Sequence, residues 1–367
     1  MIHIGIDTRL TYYRTGGIST YMRRLVRALE ALDTDNRYTV FHSLKASDSL
    51  VRRFSHASLW TPAHHRIERV ALSLELARFR LDVLHSPDFI PPRRGARRHI
   101  ITVHDLTFLH YPQYITAEGH RYYTDQIEAA TLQADHILVD SHSTRKDLID
   151  ILNVPADKIT VHMLGVDESF KPLPSESLEN VRQQLGLPRD YLLFVGTFEP
   201  RKNIAGLLQA YRGLLSQMPD APSLVLVGRR GWLFDETMAH IQEMRLDKHI
   251  IWCDNIDDRA LPALYNMAQV LITPSFYEGF GLPALEAMAC GTVPIVSNRS
   301  SLPEVVGDVG LLINPDDPAT ITEAIHHALT DSSWRATMSQ AGIVRAKTFT
   351  WENTARIALE TYRAVCQ

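Results

Sequence analysis

Cysteine is scarce in this sequence: Cys253, Cys290 and Cys366 are the only three in 367 residues. An odd number with no metal-ligand spacing excludes a disulfide framework or a cysteine metal knuckle, and fits a reducing cytoplasm. Long hydrophobic runs are missing, since no stretch reaches the roughly 18 apolar residues a membrane-spanning helix needs. The opening Met1-Ile2-His3-Ile4-Gly5-Ile6-Asp7 lacks a basic segment ahead of an apolar core, so it reads as a strand and not as a secretory leader. Neither sign of charge dominates: 38 Lys and Arg face 42 Asp and Glu. The net charge of −4 gives no reason to expect nucleic acid. A G-x-G-x-x-G fingerprint is also absent, which argues against a nicotinamide cofactor. No short-period repeat or low-complexity segment breaks the chain.

What remains is an ordinary globular composition, 45% hydrophobic and 22% charged, with length for two or three domains. The pattern is alternation. In the first half, Ile2–Ile6, Tyr38–Phe41, Val83–His85, Ile100–Val103 and Ile137–Val139 read as strands. Helical spacing covers 18–32, 67–80, 117–134 and 143–152. Phe170-Lys171-Pro172-Leu173-Pro174-Ser175 reads as a linker. A second series follows: Tyr191–Val195, Leu224–Val227, Ile250–Trp252, Val270–Thr273, Val293–Val296 and Leu311–Ile313. Alternating strands and helices imply parallel sheets covered on both faces. The expected domains are residues 1–170 and 171–350, with a closing helix over 351–367.

The densest chemistry lies in Tyr277-Glu278-Gly279-Phe280-Gly281-Leu282-Pro283-Ala284-Leu285-Glu286. An apolar strand precedes it and helix-forming sequence continues after it. Pro283 suits a first helical turn, and free N–H groups at a helix start favour an anion. Two carboxylates flanking such a turn suit a ligand with hydroxyls at both ends and phosphate between, the shape of a nucleotide sugar. Either glutamate alone would pass as a helix-dipole or turn partner; the ten-residue arrangement is more specific. After the strand at 191–195 comes Gly196-Thr197-Phe198-Glu199-Pro200-Arg201-Lys202-Asn203, where adjacent cations can neutralise a diphosphate. His104-Asp105 ends another strand, a position where ligands bind in open α/β sheets; Asp105 either orients His104 or caps the next turn. His85 reads as structural. Gly16-Gly17 between the first strand and first helix allows a close backbone approach.

These segments resemble the retaining glycosyltransferases of family 4. That resemblance implies the GT-B fold: two Rossmann-like domains with parallel sheets facing across an interdomain cleft, the first for the acceptor and the second for the donor. It further implies that the helix over 351–367 packs back on the first domain. In the family Glu278 would meet the transferred sugar and Glu286 the ribose, with the Gly281-Leu282 backbone at phosphate or sugar. Lys202 matches the family's lysine. The usual arginine position holds Thr197 instead, and Arg201 is the neighbour that would substitute. His104 would hydrogen-bond the reacting sugar. Gly16 and Gly17 would face phosphates and acceptor, with Arg9, Tyr12 and Arg14 nearby. Asn255 and Ile256 would lie at the base, beside Gly228-Arg229-Arg230-Gly231. The catalytic set is thus His104, Arg201, Lys202 and Glu278. The donor-binding set adds Gly16, Gly17, Gly196, Asn255, Ile256, Gly281, Leu282 and Glu286.

The expected reaction moves a hexose from a nucleoside-diphosphate sugar to a hydroxyl acceptor with retention, without a separate cofactor. GDP-mannose is favoured over UDP-sugars because His104 and the Pro200-Arg201-Lys202-Asn203 stretch resemble bacterial mannosyltransferase-like members. No Asp-x-Asp metal motif stands in a suitable loop, so metal independence is expected. The acceptor is open between a glycan, a lipid-linked saccharide and a small molecule. Alternatives are a GT-B sugar-nucleotide epimerase and a non-catalytic sugar-nucleotide-binding subunit. Arg93, Arg94, Arg97 and Arg98 crowd one loop in a stretch, 51–100, with ten Arg against four acidic residues. A solvated loop is the ordinary reading; peripheral contact with the inner membrane surface of a cytoplasmic protein is the other.

Overall fold

The computed structural model describes every residue except Arg14, Thr15, Ser47, Asp48, Arg66, Trp232, Leu233, Asn255 and Asp258. Its contacts divide the chain into two units, Met1–Gly165 with Thr350–Gln367, and Val166–Phe349.

The first unit holds β1 (His3–Asp7), β2 (Arg37–Ser43), β3 (Ser55–Leu59), β4 (Leu81–Ser86), β5 (Ala96–Val103), β6 (His136–Val139) and β7 (Ile159–Val161). They form one seven-stranded sheet in the order β3-β2-β1-β4-β5-β6-β7, and every pair is parallel. Central strands of such a sheet bury both faces, which is why β1 and the Ile100–Val103 half of β5 read as apolar runs. Sequence reading missed β3 and β7. The first is Ser55-His56-Ala57-Ser58-Leu59, mostly solvated, and edge strands need no apolar face. The second has only three residues. The helix Gly17–Leu32 buries Tyr21, Met22, Leu25, Val26 and Leu29, a stripe at helical spacing. The chain's last helix, Trp351–Ala364, packs on it. There the Tyr362 hydroxyl meets His85 Nδ1 at 2.7 Å, and His85 Nε2 meets Thr102 Oγ1 at 2.8 Å. Burial holds His85 well below its ordinary range, so its ring is neutral.

The second unit holds β8 (Tyr191–Val195), β9 (Ser223–Val227), β10 (Ile250–Cys253), β11 (Val270–Thr273), β12 (Val293–Ser297) and β13 (Leu311–Ile313). Their order is β10-β9-β8-β11-β12-β13, again all parallel. Leu192, Phe194, Leu226 and Ile272 pack with Leu207 and Ile325 from covering helices. The helix Ser175–Leu185 begins where the linker was expected to end.

Strand order reverses once in each sheet, between β1 and β4 and between β8 and β11. At such a point the neighbouring connections leave on opposite faces and open a crevice beyond the strands' carboxyl ends. Both clusters described next lie at or beside these two places.

Candidate active site

In the second unit the loops after β8 and β11 meet. Glu278 Oε1 accepts from Lys202 Nζ at 2.6 Å, and Oε2 from Arg201 Nη1 at 2.9 Å. Ser275 Oγ also donates to Oε1, at 2.6 Å. The Glu278 N–H donates to Ser300 Oγ at 2.9 Å, and Ser301 Oγ donates to the Glu278 and Phe280 carbonyls at 2.8 Å each. Burial alone would raise the Glu278 carboxyl, but Lys202 and Arg201 overcome this and hold it down to about 2. Burial and then Arg201 pull the Lys202 ammonium below its usual range. Arg201 also reaches Glu199, Nε to Oε2 at 3.0 Å. Asn203 fixes the turn in left-handed conformation, φ 55°. Its Oδ1 accepts from Gly206 N at 3.2 Å, and its Nδ2 donates to the Pro274 and Pro315 carbonyls at 3.1 and 2.7 Å. The side chain therefore ties both loops together just behind the cations. Gly196, at the head of this loop, donates its N–H to the Val227 carbonyl at 2.9 Å.

Gly281 caps the helix Leu282–Cys290 at φ 101°, where a Cβ would stand 2.6 Å from Leu302 Cδ2. Glycine is required on both counts. Pro283 falls in the first turn. Glu286, half-buried one turn on, accepts from the Tyr265 hydroxyl at 2.8 Å. Around β10, Ile256 is half-buried, and Asn255 lies outside the described residues. Arg230 stacks over Phe234 and Trp252, 4.7 and 5.1 Å from the ring centroids.

In the first unit His104 follows β5 and Asp140 follows the adjacent β6. His104 Nδ1 donates to Asp140 Oδ2 at 2.6 Å, and Nε2 donates to the Pro87 carbonyl at 3.0 Å. Both partners are acceptors, so both ring nitrogens carry hydrogens and the ring is an imidazolium. Burial opposes this charge, but Asp140 outweighs it and lifts His104 to about 9. The fully buried His162 lies 3.5 Å from the other Asp140 oxygen, and Tyr21 stands edge-on to His104 with centroids 4.9 Å apart. Asp105 does not orient the ring; its Oδ1 accepts from Thr107 N at 2.9 Å and caps the turn.

Gly16 (φ 128°) and Gly17 stand exposed at the start of their helix. Arg9 is not a surface ligand: it is 1% exposed and ion-paired with Asp7 and Glu68. Tyr12 is half-exposed, and Arg14 lies outside the described residues. Arg97 and Arg98 belong to β5 and not to a loop, and pair with Asp82 and Asp135 at 3.3 and 2.8 Å.

Two family descriptions match this chain: Glycosyltransferase Family 4 over residues 15–170, and Glycosyl transferases group 1 over 178–345. The Escherichia coli O-antigen chain mannosyltransferase B is 33% identical over 96% of this chain and 97% of its own. The chain belongs to the family 4, group 1 glycosyltransferases. Among solved structures, the Thermosynechococcus elongatus sucrose-phosphate synthase superposes with TM-score 0.80 at 24% identity, over 100% of this chain and 99% of that one. Anabaena HepE, solved with UDP and glucose, gives TM-score 0.80 at 16% identity, over 99% of this chain and 100% of that one. The glycosyltransferase thus has the GT-B fold.

Sequence reasoning named each acidic and basic member of the Arg201–Lys202–Glu278 cluster, but as separate constellations; the fold makes them one ion network. It missed Asp140, Ser275 and Ser300. Asp140 carried one usable signal, since like His104 it follows an apolar strand directly. The two serines carried none. No helix among the described residues is long and apolar enough to cross a membrane.

Proposed function

We propose that this glycosyltransferase moves mannose from GDP-mannose, in preference to UDP-sugars, to a hydroxyl of a glycan, lipid-linked or small acceptor, with retention and without a metal. One observation carries the donor half: two cations and a buried carboxylate meet at the β8/β11 switch point, 2.6 and 2.9 Å apart. A diphosphate entering there exchanges for the carboxylate as the partner of Arg201 and Lys202. These two then stabilise the charge that grows on the departing nucleotide, the electrostatic work a metal would otherwise do. Glu278, released from them, accepts from sugar hydroxyls. Glu286 accepts from the ribose, and the helix start at Leu282 faces phosphate with its free N–H groups. No carboxylate stands out as a nucleophile, which favours same-face attack. His104, as a cation, donates toward the transferred sugar by exchanging its Nε2 bond to the Pro87 carbonyl for a sugar oxygen.

The mannosyl preference rests on the mannosyltransferase that matches the full chain. The test is a thermal-shift screen of GDP, UDP, ADP and their sugars, since binding stabilises by mass action, followed by NMR assignment of the product anomer. GDP and GDP-mannose should give the largest shift and an α-linked product. Stabilisation by UDP-sugars alone, or a β-product, would overturn the reading.

A further inference from the structure

Glu286, the carboxylate proposed to accept from the ribose, is held by a side chain from a neighbouring helix. Tyr265 lies on the short helix Leu261–Met267 and is fully buried. Its hydroxyl donates to Glu286 Oε2 at 2.8 Å. Burial, and then the charge of Glu286, push the phenol well above its ordinary range. The hydroxyl therefore keeps its proton and stays the donor, while the ionised carboxylate can only accept.

The tyrosine is itself fixed from several sides. The carbonyl of the preceding residue, Leu264, accepts from the Tyr191 hydroxyl of β8 at 2.7 Å. The Tyr265 carbonyl accepts from the Thr292 hydroxyl, which lies just past the helix Leu282–Cys290, and from the Ala268 N–H at 3.1 Å. Phe170 stands edge-on to the ring, with centroids 5.8 Å apart. A donor held this firmly selects one orientation for a half-buried glutamate, whose rotamer freedom would otherwise be lost at the moment of binding. Packing alone does not call for this arrangement. Tyr191 and Tyr211 of the same unit are equally buried, and they donate to main-chain carbonyls. Of these three, only Tyr265 gives its proton to a charged side chain, and that side chain belongs to the candidate site.

We propose that Tyr265 is a positioning residue for the donor: it sets the plane of the Glu286 carboxylate so that both ribose hydroxyls are accepted together, and thereby sets the preference for ribose over deoxyribose. A carboxylate offers about four acceptor positions, so one bond from Tyr265 does not close it to a diol. A carboxylate turned out of that plane would keep one hydroxyl and lose the other. The proposal rests on the ribose reading of Glu286. GDP and 2′,3′-dideoxy-GDP are titrated against the full chain by calorimetry, with UDP and 2′,3′-dideoxy-UDP in parallel. The unmodified protein should prefer the ribose form of the nucleotide it binds by about tenfold or more. Tyr265→Phe keeps the ring and its packing. It should weaken the ribose form about tenfold, the loss of one hydrogen bond to a charged group, and leave the dideoxy form unchanged. In a Glu286→Ala background the same change should have no further effect on either form. Tyr211→Phe, which also loses a buried hydroxyl, should lower the Tm and alter neither affinity. If Tyr265→Phe weakens both forms equally, weakens neither, or acts undiminished without Glu286, the proposal is overturned. No preference for ribose in the unmodified protein instead overturns the ribose reading of Glu286.

Discussion

The proposed function gives Glu278 two duties that ligand binding separates. Without a donor it balances two cations in a site where burial makes unpaired charge costly. On the proposed reading, those cations turn to phosphate when a donor enters. Glu278→Gln should therefore lower turnover about 100-fold or more while leaving affinity for the free nucleoside diphosphate equal or tighter, because the internal competitor is gone. Lys202→Ala should cut kcat by about 10²–10³-fold, the usual loss of one preorganised donor to a developing anion. Single-turnover kinetics with nucleotide titration separates the two, and weaker diphosphate binding in Glu278→Gln would contradict the exchange. His104 sets a pH signature. Its folded value near 9 lies above its ordinary 6.5, so its contribution to stability is complete below 6.5 and lost as pH rises through 9. Asp140→Asn should flatten the stability profile across that window and bring the His104 titration, read by NMR, back toward 6.5. A profile unchanged by the substitution would show that Asp140 is not the cause.

At the scale of elements, the site is built from strand ends and short turns, and Asn203 is its joint. It caps the helix Ile204–Gln217 while holding the carbonyls of two other loops. Asn203→Ala loses a cap, leaves buried carbonyls unpaired and strains φ, so about 3 kcal/mol of stability should go. Asn203→Gly removes the same hydrogen bonds but not the backbone preference, and should be less damaging by about 1 kcal/mol. Thermal unfolding of the two variants decides this; equal losses would mean the left-handed turn carries no strain. The helix Leu282–Cys290 shows how much of an element a short motif reveals. Pro283 marked its start because it acts through its own backbone, and Gly291, left-handed at φ 83°, ends it in the structure. The edge strand β3 was invisible for the opposite reason, as Ser55, His56 and Ser58 face water and leave no apolar pattern.

On the scale of the whole molecule, the chain closes on its beginning. The last helix covers Gly17–Leu32, and Tyr362, fully buried, reaches His85. Each unit has its own core, so calorimetry should resolve two transitions. Tyr362→Ala should lower the transition of the first unit by about 3–5 kcal/mol and leave nucleotide-dependent stabilisation of the other unchanged. If both transitions fall together, the units do not unfold independently.

The alternation of strands and helices and the short-range constellations around His104, 201–202 and 278–286 are legible in the order of residues alone. Those depend on local periodicity and on residues a few positions apart, which a chain carries in its order. Only the tertiary structure decided which distant residues meet. It gave His104 its partner Asp140, 36 positions on, gave Glu278 the two cations 76 and 77 positions back, and withdrew Arg9 into a buried pair. Strand order makes those choices, since neighbours in a parallel sheet are set by crossovers and not by adjacency in sequence, and the charge state of each group follows from the partners it is dealt.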